Sequence, residues 1–315
     1  MSERGDTGAF DVRDRPLIHL HIPKNAGTAM SRAVKTRLAL WPPSHWLHHA
    51  DVLGHYRVGP TWRDRAAHIA ERPARAQQRA RFFEAHAGWG MHEVVPGFED
   101  AAYFTVIREP VDRTLSVFHF LKQDGLLDPS VPLHRFLEMV EPPEPIWAID
   151  NAQVRFLAGE RGEMVEAPRF DVTERMREVA IARLDDPRMV AAMVQERMGE
   201  SVDVLGRSLG LIGLAPARAN VTKHRSRADE LPVEQIERIR ALNTHDSALH
   251  RAANEVLDRR LRAGTPHNAD LGAGGFWRGV TRVAPAAAGV VRRLTRSGSS
   301  ASRTGTRDRE GDDRR

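Results

Sequence analysis

Pro16-Leu-Ile-His-Leu-His-Ile22-Pro-Lys24-Asn-Ala-Gly27-Thr28-Ala-Met30 is the stretch on which the fold turns. Residues 16–22 are a short apolar run suited to a buried parallel strand. Pro23 to Gly27 breaks the run. From Thr28 to Leu40, Met30, Val34 and Leu38 recur at helical spacing and share one face. Strand, glycine-containing loop and helix in that order form the phosphate-binding unit of open α/β folds. Successive N–H groups at such a helix start can wrap an anion, aided by the partial positive charge there. Gly27 lets backbone approach a ligand, Thr28 offers a hydroxyl as well as its N–H, and Lys24 adds a cation on a flexible stem. The chain has four Lys (24, 35, 122 and 223) among 47 basic residues, so a Lys in this loop suggests a need for a compact ammonium. The plain alternative is a capped helix start with an incidental Lys.

Outward from this unit, residues 81–85 are a second strand candidate, ending at His86-Ala-Gly88. Ala101-Ala-Tyr-Phe-Thr-Val-Ile107 is the clearest strand; it runs into Arg108-Glu109-Pro110 and a helix over 111–122. Further helices are expected at 63–78, 132–140, 146–157, 173–184 and 200–209, with a strand at 189–194. Residues 232–262 form one long or two short helices, and 41–59 is loop-rich. Strands alternating with helices imply an α/β fold: an open parallel sheet with helices on both faces. Residues 1–14 are polar and predict a disordered terminus, 15–262 form the folded domain, and 263–315 a flexible basic tail.

The loop is not the Walker pattern, because Lys24 precedes Gly27 and no Lys-Ser/Thr pair follows it. Pro23-Lys24-x-x-Gly27-Thr28 instead resembles the 5′-phosphosulfate loop of carbohydrate-type sulfotransferases, which use 3′-phosphoadenosine-5′-phosphosulfate (PAPS). That family follows a central strand with Arg-[Asp/Glu]-Pro and a Ser eight residues after the Arg. Arg108-Glu109-Pro110 and Ser116 match it, about 85 residues beyond the loop. A strand end aims Arg108 at the crevice of a doubly wound sheet, its guanidinium matches a phosphate fork, and Ser116 adds a hydroxyl. The resemblance thus implies a P-loop-like fold. Lys24, Asn25, Ala26, Gly27, Thr28 and Ala29 would hold the sulfated phosphate, and Arg108 and Ser116 the 3′-phosphate. Asp150 to Leu157 resembles a helix of bacterial members, and Asn220 to Arg225 their late basic segment, where Lys223 and Arg225 are candidates for the nucleotide. The resemblance covers roughly residues 16–260.

It implies an enzyme moving a sulfuryl group to an acceptor hydroxyl, the acceptor being a carbohydrate or glycosylated molecule. The family's Gly-His at the end of the preceding strand corresponds to Ala85-His86, which makes His86 the general base, with His92 its nearest competitor; Lys24 would stabilise the leaving oxygen. No metal is required. Two departures stand out: Ala29 and Asn25 replace hydroxyl residues, so weaker donor binding is expected; Ala85 in place of Gly makes the match at His86 partial. Alternatives are a P-loop-like kinase, for which no strand ends in a convincing metal-binding Asp, and a non-catalytic nucleotide-binding descendant of the enzyme.

Other histidines are expected to be structural. His19 and His21 alternate on one strand face and suit packing or hydrogen bonding. His45, His48, His49 and His55 are dense but have no carboxylate at ligand spacing. The chain has no Cys, which excludes disulfides, thiolate metal sites and a Cys nucleophile. The net charge is +5, yet five Arg within 271–296 and a net +1 over 297–315 leave −1 for residues 1–270. A near-neutral body argues against gripping nucleic acid. Residues 1–20 contain no apolar core of signal-peptide length, which predicts a cytoplasmic protein. An amphipathic reading of 276–295, with Trp277, Val280, Val291 and Leu294 on one side and Arg elsewhere, points to peripheral membrane contact; a disordered or packed tail is the alternative.

Overall fold

A computed structural model of the chain describes residues 15–38, 46–48, 81–95, 97–139, 147–159, 171–211, 213–215 and 230–263. All lie in one compact unit, Met1–His267. The expected helix at 63–78, the late basic segment with Lys223 and Arg225, and the tail reading at 276–295 lie outside the described residues.

Five strands form one parallel sheet: β1 (Leu17–Leu20), β2 (Trp46–His48), β3 (Phe82–Ala85), β4 (Ala102–Ile107) and β5 (Met189–Val194), in the order β2-β3-β1-β4-β5. β1 and β4 are buried along their whole length, as strands covered on both faces must be. The register sets Leu17 opposite Phe82 on one side and Ala102 on the other. Thr105 Oγ1 donates to the Leu20 carbonyl at 2.8 Å, giving this buried hydroxyl of β4 a partner.

Alternation along the strands divides the core. Leu17, Phe82, Phe104, Val106, Ala191 and Met193 face α1 (Gly27–Arg37) and a later helix, Met198–Ser208. Ile18, Leu20, Phe83, Tyr103, Ala192 and Val194 face the opposite layer. That layer contains α5 (Ala152–Ala158), α6 (Glu174–Ala182) and α9 (Thr244–Arg262). The remaining α-helices among the described residues are, in chain order, α2 (Met91–Val94), α3 (Pro110–Gln123), α4 (Leu133–Glu138), α7 (the Met198–Ser208 helix already placed) and α8 (Val233–Leu242). Met30, Val34 and Leu38 are buried, so the helical face expected from their spacing is the one α1 packs.

Two expectations change and one alternative is decided. Residues 46–48, expected in a loop, pair with β3 as a three-residue edge strand, too short for alternation to announce it. Residues 146–157 do not make one helix: a 3₁₀ turn (Trp147–Ile149) and α5 are separated at Asn151, whose φ is 45°. Of the one or two helices expected over 232–262 there are two, divided at Asn243 into α8 and the longer α9. The last two breaks explain each other. Asp246 accepts from the N–H groups of Gln153 and Val154, capping α5. Asn151 Oδ1 accepts from the N–H groups of His245 and Asp246, capping α9. Each helix start is thus satisfied by a side chain from the other.

Candidate functional site

In this strand order the chain leaves β1 toward β2 on one side and leaves β4 toward β5 on the other. The carboxyl ends of β1 and β4 are therefore a topological switch point, where open α/β sheets form their ligand crevice. Residues 21–27 leave β1 there and Arg108-Glu109-Pro110 leave β4.

The β1 exit is a tight, strained loop. Lys24 and Ala26 take left-handed backbone, with φ of 69° and 61°. For residues with a Cβ this costs on the order of 1 kcal/mol each and persists only where surroundings over-determine it. Alternate left-handed residues are the kind of backbone that gathers N–H groups into an anion-binding hollow. The amino end of α1 has no side-chain cap and no acidic residue in its first turn. Thr28 is exposed there, and Ala26 and Ala29 are half-buried. Gly27 has a specific reason: a Cβ at that position would collide with the His21 imidazole. The absent side chain makes room for a neighbouring ring, rather than the close ligand approach expected from the sequence.

Asn25 differs from the sequence expectation. Its side chain is buried and points inward, donating from Nδ2 to Val106 O and to Gln153 Oε1, both at 2.7 Å. It braces the loop against β4 and α5 instead of presenting its amide to a ligand. Arg108 is 4% exposed. Its Nη1 donates to the Lys24 carbonyl at 2.8 Å, and its Nη2 lies 3.9 Å from Asp112 Oδ2. The two segments singled out in the sequence, 84 residues apart, are therefore in direct contact. Gln153 joins them from below. Its Oε1 accepts from the Arg108 N–H and its Nε2 donates to the Arg108 carbonyl, both at 2.9 Å. Asp246 holds the start of Gln153's helix. Burial raises the Asp246 pKa, opposed by the Arg113 guanidinium and the two N–H bonds.

Glu109 caps α3 by accepting from the Asp112 N–H at 2.8 Å, with Pro110 in the first turn as expected. Ser116 is half-buried on α3, and Phe120 lies one turn further along the same helix face. The Lys24 ammonium sits 3.9 Å from the Phe120 ring centroid, a cation–π contact that places it beside the Ser116 face.

His86 follows β3 and is half-buried. Its ring meets His21 edge-on, with centroids 4.6 Å apart, and His21 covers Gly27. His86 thus stands one imidazole away from the loop. His92 is placed elsewhere: its Nδ1 lies 2.8 Å from the Tyr103 hydroxyl, against Trp89 in the opposite core layer. Burial is the main cause that lowers its pKa, with Arg188 adding to it.

Beneath His86 lies a polar cluster between the sheet and α1. His19, His21 and Glu84 are all buried. His19 stacks between His21 and Phe104 and its Nδ1 is 2.5 Å from Ser31 Oγ. Glu84 Oε1 is 3.4 Å from His21 Nδ1, and its Oε2 accepts from the Lys35 ammonium. Hydrogen bonds from His21 and Lys35, with the nearby His19, hold the Glu84 carboxyl below the usual carboxylate range despite burial.

The structure thus brings Lys24 to Ala29, with Asn25 turned inward, together with Arg108 and His86 at the carboxyl ends of β1, β4 and β3, and sets Ser116 on the helix that follows β4. Arg225 lies outside the described residues. Sequence reasoning missed Gln153 and Asp246; the only signal was that 150–157 carries several polar residues in a helix that has to be buried. No protein-family model matches the chain, and no curated protein matches it. Among the described residues, no helix is long and apolar enough to cross a membrane.

Proposed function

We propose that this protein is a PAPS-dependent sulfotransferase, moving a sulfuryl group to the hydroxyl of a carbohydrate or glycosylated acceptor, in the cytoplasm as the sequence predicts. The observation that carries the reading is the 2.8 Å contact between Arg108 and the Lys24 carbonyl. It makes the uncapped start of α1 and a buried guanidinium neighbours at one switch point, so two anionic ends of one nucleotide can be met together. The uncapped, acid-free helix start suits a sulfated phosphate. Arg108, with Ser116 on the following helix, suits the 3′-phosphate that separates this donor from ATP. An arriving phosphate would take the guanidinium from Asp112, whose oxygen is 3.9 Å away.

Sulfuryl transfer is an in-line displacement, so positioning and charge stabilisation dominate. The bond from acceptor oxygen to sulfur forms as the bond from sulfur to the bridging oxygen breaks. His86 takes the acceptor proton. Lys24, lifted from Phe120, neutralises the charge left on the bridging oxygen. No step passes through a metal.

Calorimetric titration with 3′-phosphoadenosine-5′-phosphate, ATP and AMP tests the donor site. The doubly phosphorylated nucleotide is expected to bind at least about tenfold tighter than either competitor, since a charged hydrogen bond is worth about 1.5–3 kcal/mol. Preference for ATP with Mg²⁺ would favour a kinase. Tight binding with no sulfate release from PAPS across an acceptor panel would favour the non-catalytic descendant.

A further inference from the structure

We propose that His19, His21 and Glu84 form a binding site for a divalent first-row transition-metal ion, of the zinc class. One ligand atom from each residue can be chosen so that all lie within 4.8 Å of one another. Two imidazoles and a carboxylate are a donor set suited to zinc and its neighbours. Ligands on a tetrahedral zinc lie about 3.3 Å apart at bond lengths near 2.0 Å, so drawing each group in by about 1 Å closes the shell.

Two further observations point to a ligand. His19 Nε2 is buried and has no hydrogen-bond partner, and the buried His21 Nδ1 faces Glu84 Oε1 at 3.4 Å. Buried polar atoms are rarely left so, and each costs about 1–3 kcal/mol. The outer contacts are also arranged for coordination. Ser31 Oγ lies 2.5 Å from His19 Nδ1, and in the tautomer whose Nδ1–H donates to that oxygen the lone pair stands on Nε2. Lys35 engages Glu84 Oε2, and Oε1 is turned to His21 Nδ1 at 3.4 Å. His86 and Gly27 hold the His21 ring from its other sides.

An ion there ties β1 to β3 across their paired register, in which His19 stands opposite Glu84. It also fixes His21, the ring lying between the loop glycine and His86. The inference departs from the sequence expectation of no metal, because the carboxylate comes from a strand 65 residues away in the chain. It does not depend on the sulfotransferase reading. Lys35 is the counter-argument, since its ammonium already neutralises Glu84. Its side chain is 19% exposed and α1 ends two residues later, so it can swing toward solvent.

The test uses the untagged full chain, stripped with chelator and titrated with Co²⁺ and then Zn²⁺. One equivalent of Co²⁺ should give the intense visible bands of a four- or five-coordinate site, and Zn²⁺ should displace it; Mg²⁺ should not bind. His19→Phe, which keeps the stacking, and Glu84→Gln should each weaken Zn²⁺ binding at least about tenfold. Lys35→Met should tighten it severalfold, a direction that a hydrogen-bonded pair with no ion does not produce. Absence of stoichiometric Co²⁺ binding by the folded wild-type chain overturns the proposal. So does unchanged affinity in His19→Phe and Glu84→Gln variants that keep the wild-type circular dichroism. Should those variants not fold, the wild-type cobalt spectrum and the Lys35→Met titration decide.

Discussion

The two strand ends that make the crevice are built in opposite ways. At the β4 exit, both backbone polar groups of Arg108 are bonded by Gln153, and Gln153's helix is capped by Asp246. At the β1 exit, two left-handed residues are held in a loop and the next helix has no side-chain cap, while His19 Nε2 within β1 lacks a partner. On the β4 side the backbone groups of the strand end are bonded from within the protein; on the β1 side the helix start has no side-chain cap. A rigid wall facing an unfinished one is what a binding site requires, because donors already paired inside the fold contribute little to a ligand.

Substitutions on the two sides should therefore fail differently. The largest effect is expected at His86. His86→Ala should lower turnover by about 10²–10⁴-fold while the Kd for 3′-phosphoadenosine-5′-phosphate stays within twofold. Single-turnover sulfate transfer alongside calorimetry measures both, and an undiminished rate removes His86 as the base. On the completed side, Gln153→Leu should cost stability. It strips the partners from both backbone groups of Arg108 and one of two from the Asn25 amide. A loss of roughly 2–5 kcal/mol is expected by urea unfolding. A loss below about 0.5 kcal/mol would mean that water replaces Gln153 and that this wall is not rigid.

Arg108 belongs to both sides and should show it. Arg108→Ala is expected to raise the Kd for the doubly phosphorylated nucleotide by about 10–100-fold, corresponding to a charged hydrogen bond. Equal affinity would separate the β4 exit from the ligand and leave only its bracing role. The smallest effect concerns His92, away from the crevice. Its folded pKa is lowered, so the unfolded chain takes up the proton first as pH falls. The stability contributed by the neutral ring is present above the unfolded value, about 6.5, and is lost as pH falls through the folded one. Melting temperatures between pH 7.5 and 5 should fall less in His92→Gln than in the wild type. Identical pH profiles would show that the ring does not sense its burial.

Much of this was legible in the chain. The β1-loop-α1 unit was visible because a buried parallel strand is apolar throughout and Met30, Val34 and Leu38 keep helical period. Arg108 stood out because it follows the clearest strand and shortly precedes a proline suited to a helix start. Gln153 and Asp246 were not legible, since a polar residue on a helix reads as solvent-facing until a neighbour is known. Gly27 was visible but its reason was not: the residue it accommodates, His21, lies across the loop.

By itself, then, the sequence determined the periodicities: which segments are strands buried on both faces, which helix face packs, and where strand ends carry cations. These are local properties, set by side-chain alternation and spacing along the chain. Only the tertiary structure decided which strand end meets which. It set His19 opposite Glu84, turned Asn25 inward, and let Asn151 and Asp246 cap each other's helices. The physical reason is that buried polar groups take partners by position in space, and the nearest partner is often many residues distant along the chain.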